Sequence, residues 1–218
     1  TDIEDHAALY REAGPVPPLP PVAPQDPAQI QYTSGTTGFP KGVVLHPHGL
    51  TNNARLYFAS AGVEPGTVTL NMMPLFHTAG CAMATLGAVQ SGCSMVLMRQ
   101  FDPQAALDLI ASEGVSQLLG VPTMRIAMIE EQKAKPRDTS SLRSVCSGGA
   151  MVPPELVRSV TDTFACGFLT VYGQTETSPL LTVAGPGGDF ADICNTVGQL
   201  IAQTEMALLA TDGCGVVP

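Results

Sequence analysis

Between Tyr32 and Gly42 the chain reads YTSGTTGFPKG. Thr33, Ser34, Thr36 and Thr37 supply hydroxyls, Gly35, Gly38 and Gly42 free the backbone, and Lys41 supplies a cation. Glycines let successive backbone N–H groups point into one concavity, which suits phosphate oxygens. Lysine is scarce here: the other two, Lys133 and Lys135, lie together at a polar helix end. A flexible polar loop would account for the hydroxyls and glycines but not for the lysine, so the stretch reads as a phosphate cradle. The spacing excludes a Walker-type loop, because GxxxxGK[ST] is missing and Gly42 follows the lysine.

Those groups need elements to hold them. Ile30–Thr33 reads as a strand running into the loop, 42–45 as a second short strand, Leu50–Ala61 as a helix and 68–70 as a strand. Asp102 before Pro103 is a helix start, an N-cap residue with proline at the first position. Ala106, Leu107 and Ile110 then share a face. Val115–Gly120 reads as a strand, Thr123–Gln132 as a helix and Leu142–Cys146 as a strand. Pro153–Phe164 is a helix with Leu156, Val157, Val160 and Phe164 inward, and Phe168–Tyr172 is a further strand. Strand and helix alternating at this spacing predict an α/β fold of βαβ units on a parallel sheet. Ligands of such sheets gather at the carboxyl ends of the strands. Two polar turns fall there, SGGA (147–150) and YGQTETSP (172–179).

Bulk properties narrow the function. The 218 residues are 44% hydrophobic and 13% charged, which describes a globular body able to bury a core. A net charge of −9 argues against nucleic-acid binding, which draws on Lys and Arg contacts to phosphate. The six cysteines form no CxxC pair and read as reduced, mostly buried thiols rather than disulfides or a zinc site. Residues 65–98 hold no Asp, Glu, Lys or Arg, but Asn71, Pro74, His77, Gly80, Gly87, Gln90 and Gly92 interrupt the run. No transmembrane segment survives; a buried strand, loop and helix is the better account. Residues 15–27, PVPPLPPVAPQDP, read as an extended strap or linker, with an SH3-type ligand as the weaker alternative. The chain begins at Thr1 without a visible targeting segment, so a fragment of a longer cytoplasmic protein is expected.

YTSGTTGFPKG resembles the signature loop of the adenylate-forming (AMP-binding) superfamily. Three further segments follow in that family's order: NMMPLFHTAG (71–80), SGGAMVPPEL (147–156) and VYGQTETSP (171–179). The intervening FDPQAALDLIASEGVSQLLGVPTM (101–124) is similar to the acyl-CoA synthetase branch. Two departures stand out. His46-Pro47-His48 replaces the family's Ser or Thr then His, and Gln199-Leu200 replaces the Arg-Pro of its VGRP segment.

The resemblance, over about residues 26–218, implies part of a large N-terminal acyl-CoA synthetase-like domain, with 1–26 a Pro-rich strap. It implies ATP-dependent activation of a carboxylic acid, preferably a fatty acid, to an acyl-adenylate and then to acyl-CoA. Thr33, Ser34, Gly35, Thr36, Thr37, Gly38 and Lys41 would hold the β- and γ-phosphates. Gly148, Gly149 and Ala150 would line the adenine pocket, with Tyr172 stacked on the base and Gly173 and Gln174 beside it. Thr175 would contact the α-phosphate, Glu176 would hold Mg²⁺, and His77 would sit near the carboxylate and gate the acyl pocket. Coenzyme A would be the co-substrate. Each has a plainer reading: Tyr172 as a strand-end aromatic, Glu176 as an acid facing a helix dipole, His77 as a hydrogen-bonded core residue. No segment matches the family's ribose-binding aspartate or the lysine of its C-terminal lid domain, so no acyl-CoA is expected from this chain alone. An aryl-acid ligase and an inactive nucleotide-binding relic or interaction protein are the alternative functions.

Overall fold

In the computed structural model, residues 18–34, 38–185, 188–211 and 216–217 are described. Gly35, Thr36 and Thr37 of the loop lie outside them.

Residues 18–28 form neither helix nor strand and turn at 24–26, where Asp26 N–H donates to the Ala23 carbonyl at 3.1 Å. The segment is held by His48 N–H donating to the Pro24 carbonyl (3.0 Å) and Ala28 N–H to that of Leu45 (2.9 Å). Strands β1 (Gln29–Thr33) and β2 (Lys41–Leu45) pair antiparallel, with Thr33 opposite Lys41. Helix α1 (Pro47–Ser60) follows at once. Its N-cap is His46, whose Nδ1 accepts from the Gly49 amide at 2.9 Å, with proline at the first turn. A histidine thus does the capping that a hydroxyl would otherwise do.

The main sheet has seven strands in the order β4-β3-β5-β6-β7-β8-β9. They are β3 (Val68–Asn71), β4 (Ser94–Leu97), β5 (Gln117–Gly120), β6 (Ser144–Gly148), β7 (Gly167–Gly173), β8 (Leu180–Ala184) and β9 (Gln199–Leu200). The pairs from β4 through β7 are parallel, as the alternation of strand and helix predicts. The parallel run stops at β7, because the short turn after it can only reverse the chain, and β8 and β9 add antiparallel. Gln199 and Leu200, the departure from VGRP, form β9.

One face of the sheet is covered by α3 (Pro103–Glu113), α4 (Pro122–Ala134) and α5 (Pro154–Phe164), after the one-turn α2 (Gly87–Gln90). Asp102 caps α3 by accepting from Ala105 N–H at 2.8 Å. The expected inward faces are buried: Ala106, Leu107 and Ile110 in α3, and Leu156, Val157, Val160 and Phe164 in α5. They meet Leu118, Val145 and Phe168 of the sheet. Arg137 ties α3 to α4 through Asp108 (2.8 Å) and Glu131 (2.7 Å).

The other face packs on α1 and on a segment that sequence periodicity does not distinguish from an α-helix. Residues Ala79–Leu86 form a π-helix. Asn71, 1% exposed, holds it by donating to the Gly80 carbonyl (3.1 Å) and contacting Thr85 Oγ1 (3.2 Å). The uncharged 65–98 run is therefore β3, a turn, this π-helix, α2 and β4. No helix among the described residues is long and apolar enough to cross a membrane. The last pair, β10 (Leu208–Leu209) with β11 (Val216–Val217), stands apart from the main sheet.

Candidate functional site

The two polar turns emerge side by side, because β6 and β7 are parallel neighbours with Gly148 opposite Val171. Gly148 carries no side chain for a physical reason: a Cβ there would lie 2.4 Å from Val171 Cγ2. Gly149 then takes φ +78°, a left-handed turn that L side chains rarely adopt. Past Gly173 the chain enters a short 3-10 turn, Thr175–Thr177, closed by Gln174 N–H donating to the Pro179 carbonyl at 2.9 Å.

Two cavities open at this edge. The first, about 440 Å³, is walled by Met73, Pro74, Met83, Leu119, Val121 and Leu180, with His77, Gly148, Gly149, Gln174 and Thr175 among its polar and small groups. The second, about 460 Å³, is lined by Gly149–Val152 on one side and Ile193–Val197 on the other. Gly149, Val171, Tyr172 and Gly173 line both cavities, so the half-exposed Tyr172 stands at their boundary. Ala150 belongs to the second cavity only and Gly148 to the first only.

His77 lies in the turn before the π-helix. Its Nδ1 accepts from the Ala79 amide at 3.0 Å, so the neutral ring carries its proton on Nε2 and is a donor. The plainer reading of a core histidine does not hold, since His77 is exposed at the first cavity's rim. Beside it, Thr78 is buried and its Oγ1 has no partner among the described residues.

Lys41 and Glu176 are exposed and line neither cavity. The fold nevertheless brings their elements together, since β2 packs against the 175–177 turn. Gln31 of β1, buried, donates to the Phe76 carbonyl next to His77. Thr33 and Ser34 lie at the hairpin end, and Gly38 has φ +86°. Among the described residues no three His, Cys, Asp or Glu side chains cluster as a metal cage. Mg²⁺ does not ask for one: it is commonly bound by one or two carboxylates together with substrate phosphates. A single exposed carboxylate at Glu176 fits that donor set.

Behind the first cavity's floor lies a group that sequence reasoning did not single out. Arg125 of α4 is fully buried, and its Nη2 donates to the Cys146 carbonyl at 2.7 Å. It occupies the space above Gly120, where a Cβ would come within 2.9 Å of Nη2. Burial depresses its pKa to about 10 and raises that of the neighbouring Cys146 thiol to about 11. The Tyr57 phenol, which accepts from Gln117 Nε2 at 2.7 Å, is also pushed up by burial. A charged residue read from sequence is placed outside by default, and only the missing side chain at Gly120 hints otherwise.

Comparison with known proteins shows the family and the fold. The family model for AMP-binding enzymes matches residues 2–218. The chain is similar to the putative acyl-CoA synthetase YngI of Bacillus subtilis, 33% identical over 186 residues, which are 85% of this chain and 34% of that protein. It is similar to the indoleacetate–CoA ligase of Aromatoleum aromaticum, 33% identical over 216 residues, covering 99% of this chain and 42% of the relative. The crystal structure of ATP-bound MatB from Rhodopseudomonas palustris superposes with a TM-score of 0.80 at 28% identity, over 90% of this chain and 38% of that one. The chain thus spans between a third and a half of the length of these curated relatives. With four motifs in order, the α/β sheet beneath them and a family match over nearly the whole length, the chain belongs to the AMP-binding enzyme family.

Proposed function

We propose that this chain is the ATP- and acid-binding part of an acid–CoA ligase, with the acid in the first cavity and the adenine base in the second. The observation that carries this reading is the shared wall of Gly149, Val171, Tyr172 and Gly173. Adenylation needs the carboxylate and the α-phosphate to meet while the acyl tail and the base stay apart. Two cavities joined at one strand end meet that need.

In the first step a carboxylate oxygen attacks the α-phosphorus, the bond to the bridging oxygen breaks, and pyrophosphate leaves. In the second the coenzyme A sulfur attacks the acyl carbonyl and AMP departs. The protein's contribution is positioning and charge stabilisation. Lys41 and the amides and hydroxyls of 33–38 hold the β- and γ-phosphates, and Thr175 the α-phosphate. Gly149, Ala150 and Tyr172 hold the base, with Gly148, Gly173 and Gln174 at the junction. His77, through Nε2–H, orients the carboxylate at the cavity mouth. Mg²⁺ held by Glu176 would add positive charge against the phosphates. Residues 27–218 are the adenylation body and 1–26 its strap. In the whole protein, by the family resemblance, other segments supply a ribose-binding aspartate and a lid lysine.

The preferred substrate is a fatty acid, because Met73, Met83, Leu119, Val121 and Leu180 give the first cavity a mainly aliphatic wall. The indoleacetate-activating relative favours an arylacetic acid as the second reading. Pyrophosphate release from Mg·ATP by the whole protein, measured across alkyl and aryl carboxylates, tests both. Alkyl acids should lead the panel. Aryl acids leading would reassign the cavity, and Mg·ATP binding without release for any acid would favour a nucleotide-binding relic. Glu176→Gln should raise the Mg²⁺ concentration needed, and an unchanged titration would make Glu176 a surface acid.

A further inference from the structure

Asn53, in the second turn of α1, is 8% exposed. Its Nδ2 donates to the Leu180 carbonyl at 2.8 Å, and its Oδ1 accepts from the Leu180 amide at 2.9 Å. A longer contact runs from Nδ2 to the Thr177 carbonyl at 3.4 Å. Leu180 opens β8, but on the β9 side bonding begins only at Leu181, whose carbonyl accepts from Ile201 N–H at 3.0 Å. One side-chain amide therefore stands in for the strand missing on that side. A buried peptide group left without a partner is expensive, so the contact constrains the backbone.

The segment that Asn53 grips behaves as one unit. Thr177 Oγ1 lies 2.8 Å from both the Gln174 and the Pro179 carbonyls, and Gln174 N–H donates to Pro179 across the turn. Thr175 and Glu176 ride on that unit. On the other side, α1 is joined to β2, which Lys41 opens, through the single capping residue His46. The helix start touches the same turn: a Cβ on Gly49 would come within 2.6 Å of Ser178 Oγ. Lys41 and Glu176, 135 positions apart in the chain, are thus linked by one strand, one helix and one amide.

We propose that Asn53 is a positioning residue that sets the spacing between Lys41 and the Thr175–Glu176 turn, and hence the span available to a polyphosphate. This rests on the reading that those residues serve ATP. The role needs a neutral amide, since the Leu180 amide and carbonyl ask for an acceptor and a donor on one short side chain. An aspartate supplies only acceptors and a serine is too short to span both.

The test is the ratio of affinities for Mg·ATP and AMP, measured by calorimetry on the native chain and on Asn53→Asp and Asn53→Ser. AMP lacks the β- and γ-phosphates, so mis-spacing should not reach it. Mg·ATP binding should weaken about tenfold while AMP binding changes less than about twofold. Gln117→Leu, which removes the buried bond to Tyr57 on the same helix without touching the turn, should lower the melting temperature and leave the ratio intact. If the Asn53 variants weaken both nucleotides equally, or neither, Asn53 is only structural and the proposal fails while the adenylation reading stands. If the native chain binds neither nucleotide, both fall. Should Asn53→Asp not fold, Asn53→Ser decides the matter alone.

Discussion

The parallel layer of β3 to β7 under α3, α4 and α5 and the β1–β2 hairpin are built on opposite terms. In the layer, Leu107, Ile110, Leu118, Val145 and Val160 are essentially inaccessible, and a side-chain cap starts α3. In the hairpin, Ile30 is 61% exposed, Tyr32 71% and Val44 59%. What attaches it is one buried apolar residue, Leu45, packed on Leu50 and Ala82, together with a few polar contacts such as Gln31 to the Phe76 carbonyl. The layer holds a large buried apolar core, while the hairpin and the 175–177 turn hold exposed groups suited to chemistry. A group that must meet a charged ligand cannot be desolvated beforehand without large cost. Stability and the proposed phosphate chemistry are therefore segregated along the chain.

The largest expected contrast is in packing. Leu107→Ala should cost about 2–5 kcal/mol of unfolding free energy, the range for a buried leucine that leaves a cavity. Ile30→Ala on the exposed hairpin face should stay within about 0.5 kcal/mol. Urea denaturation of both variants measures the gap, and equal losses would erase the distinction between the two regions.

Alkaline pH should attack the layer and spare the hairpin. Burial raises the thiols of Cys146 and Cys166 to about 11 in the folded chain. A raised folded pKa stabilises the fold fully below the unfolded value and loses that stabilisation as pH rises through the folded one. Stability should thus fall between about pH 9 and pH 11, by on the order of 2–3 kcal/mol for Cys146. Arg125 acts oppositely above about pH 10, because its depressed pKa lets the folded state shed the buried charge first. Chemical denaturation across this range should show a shallower decline in Cys146→Ala than in the native chain.

Lys41→Ala should do the reverse, weakening Mg·ATP binding with no change in melting temperature. Loss of one charge-assisted contact is worth about 1.5–3 kcal/mol, roughly ten- to a hundredfold in affinity. Unchanged calorimetric affinity would remove Lys41 from the phosphate site. Asp102→Ala should cost about 1 kcal/mol of stability through the lost cap of α3, with nucleotide affinity intact.

Much of the layer is legible residue by residue. Leu156, Val157, Val160 and Phe164 recur at helical spacing, and Asp102-Pro103 announces a helix start through local chemistry. The π-helix is not legible in that way. Its AGCAMATL is apolar but for Thr85, so it has no polar face to betray a period, and the Asn71 contacts to Gly80 and Thr85 come from a residue outside it. Strand β8 is equally silent, because LLTVA is a short apolar run whose pairing partner is settled by the turn before it.

The βαβ alternation, the inward helix faces and the four motifs that carry the family resemblance are readable in the residues alone. Each of these is written in local spacing or in residue type. Folding is needed to bring SGGA and YGQTETSP side by side between two cavities, to bury Arg125 over Gly120, and to set Asn53 against the backbone of Leu180. Those facts depend on which strand lies beside which, and on which backbone groups are left over after pairing. Strand order is set by burial and hydrogen bonding summed over the whole sheet, a sum to which no short stretch of residues has access.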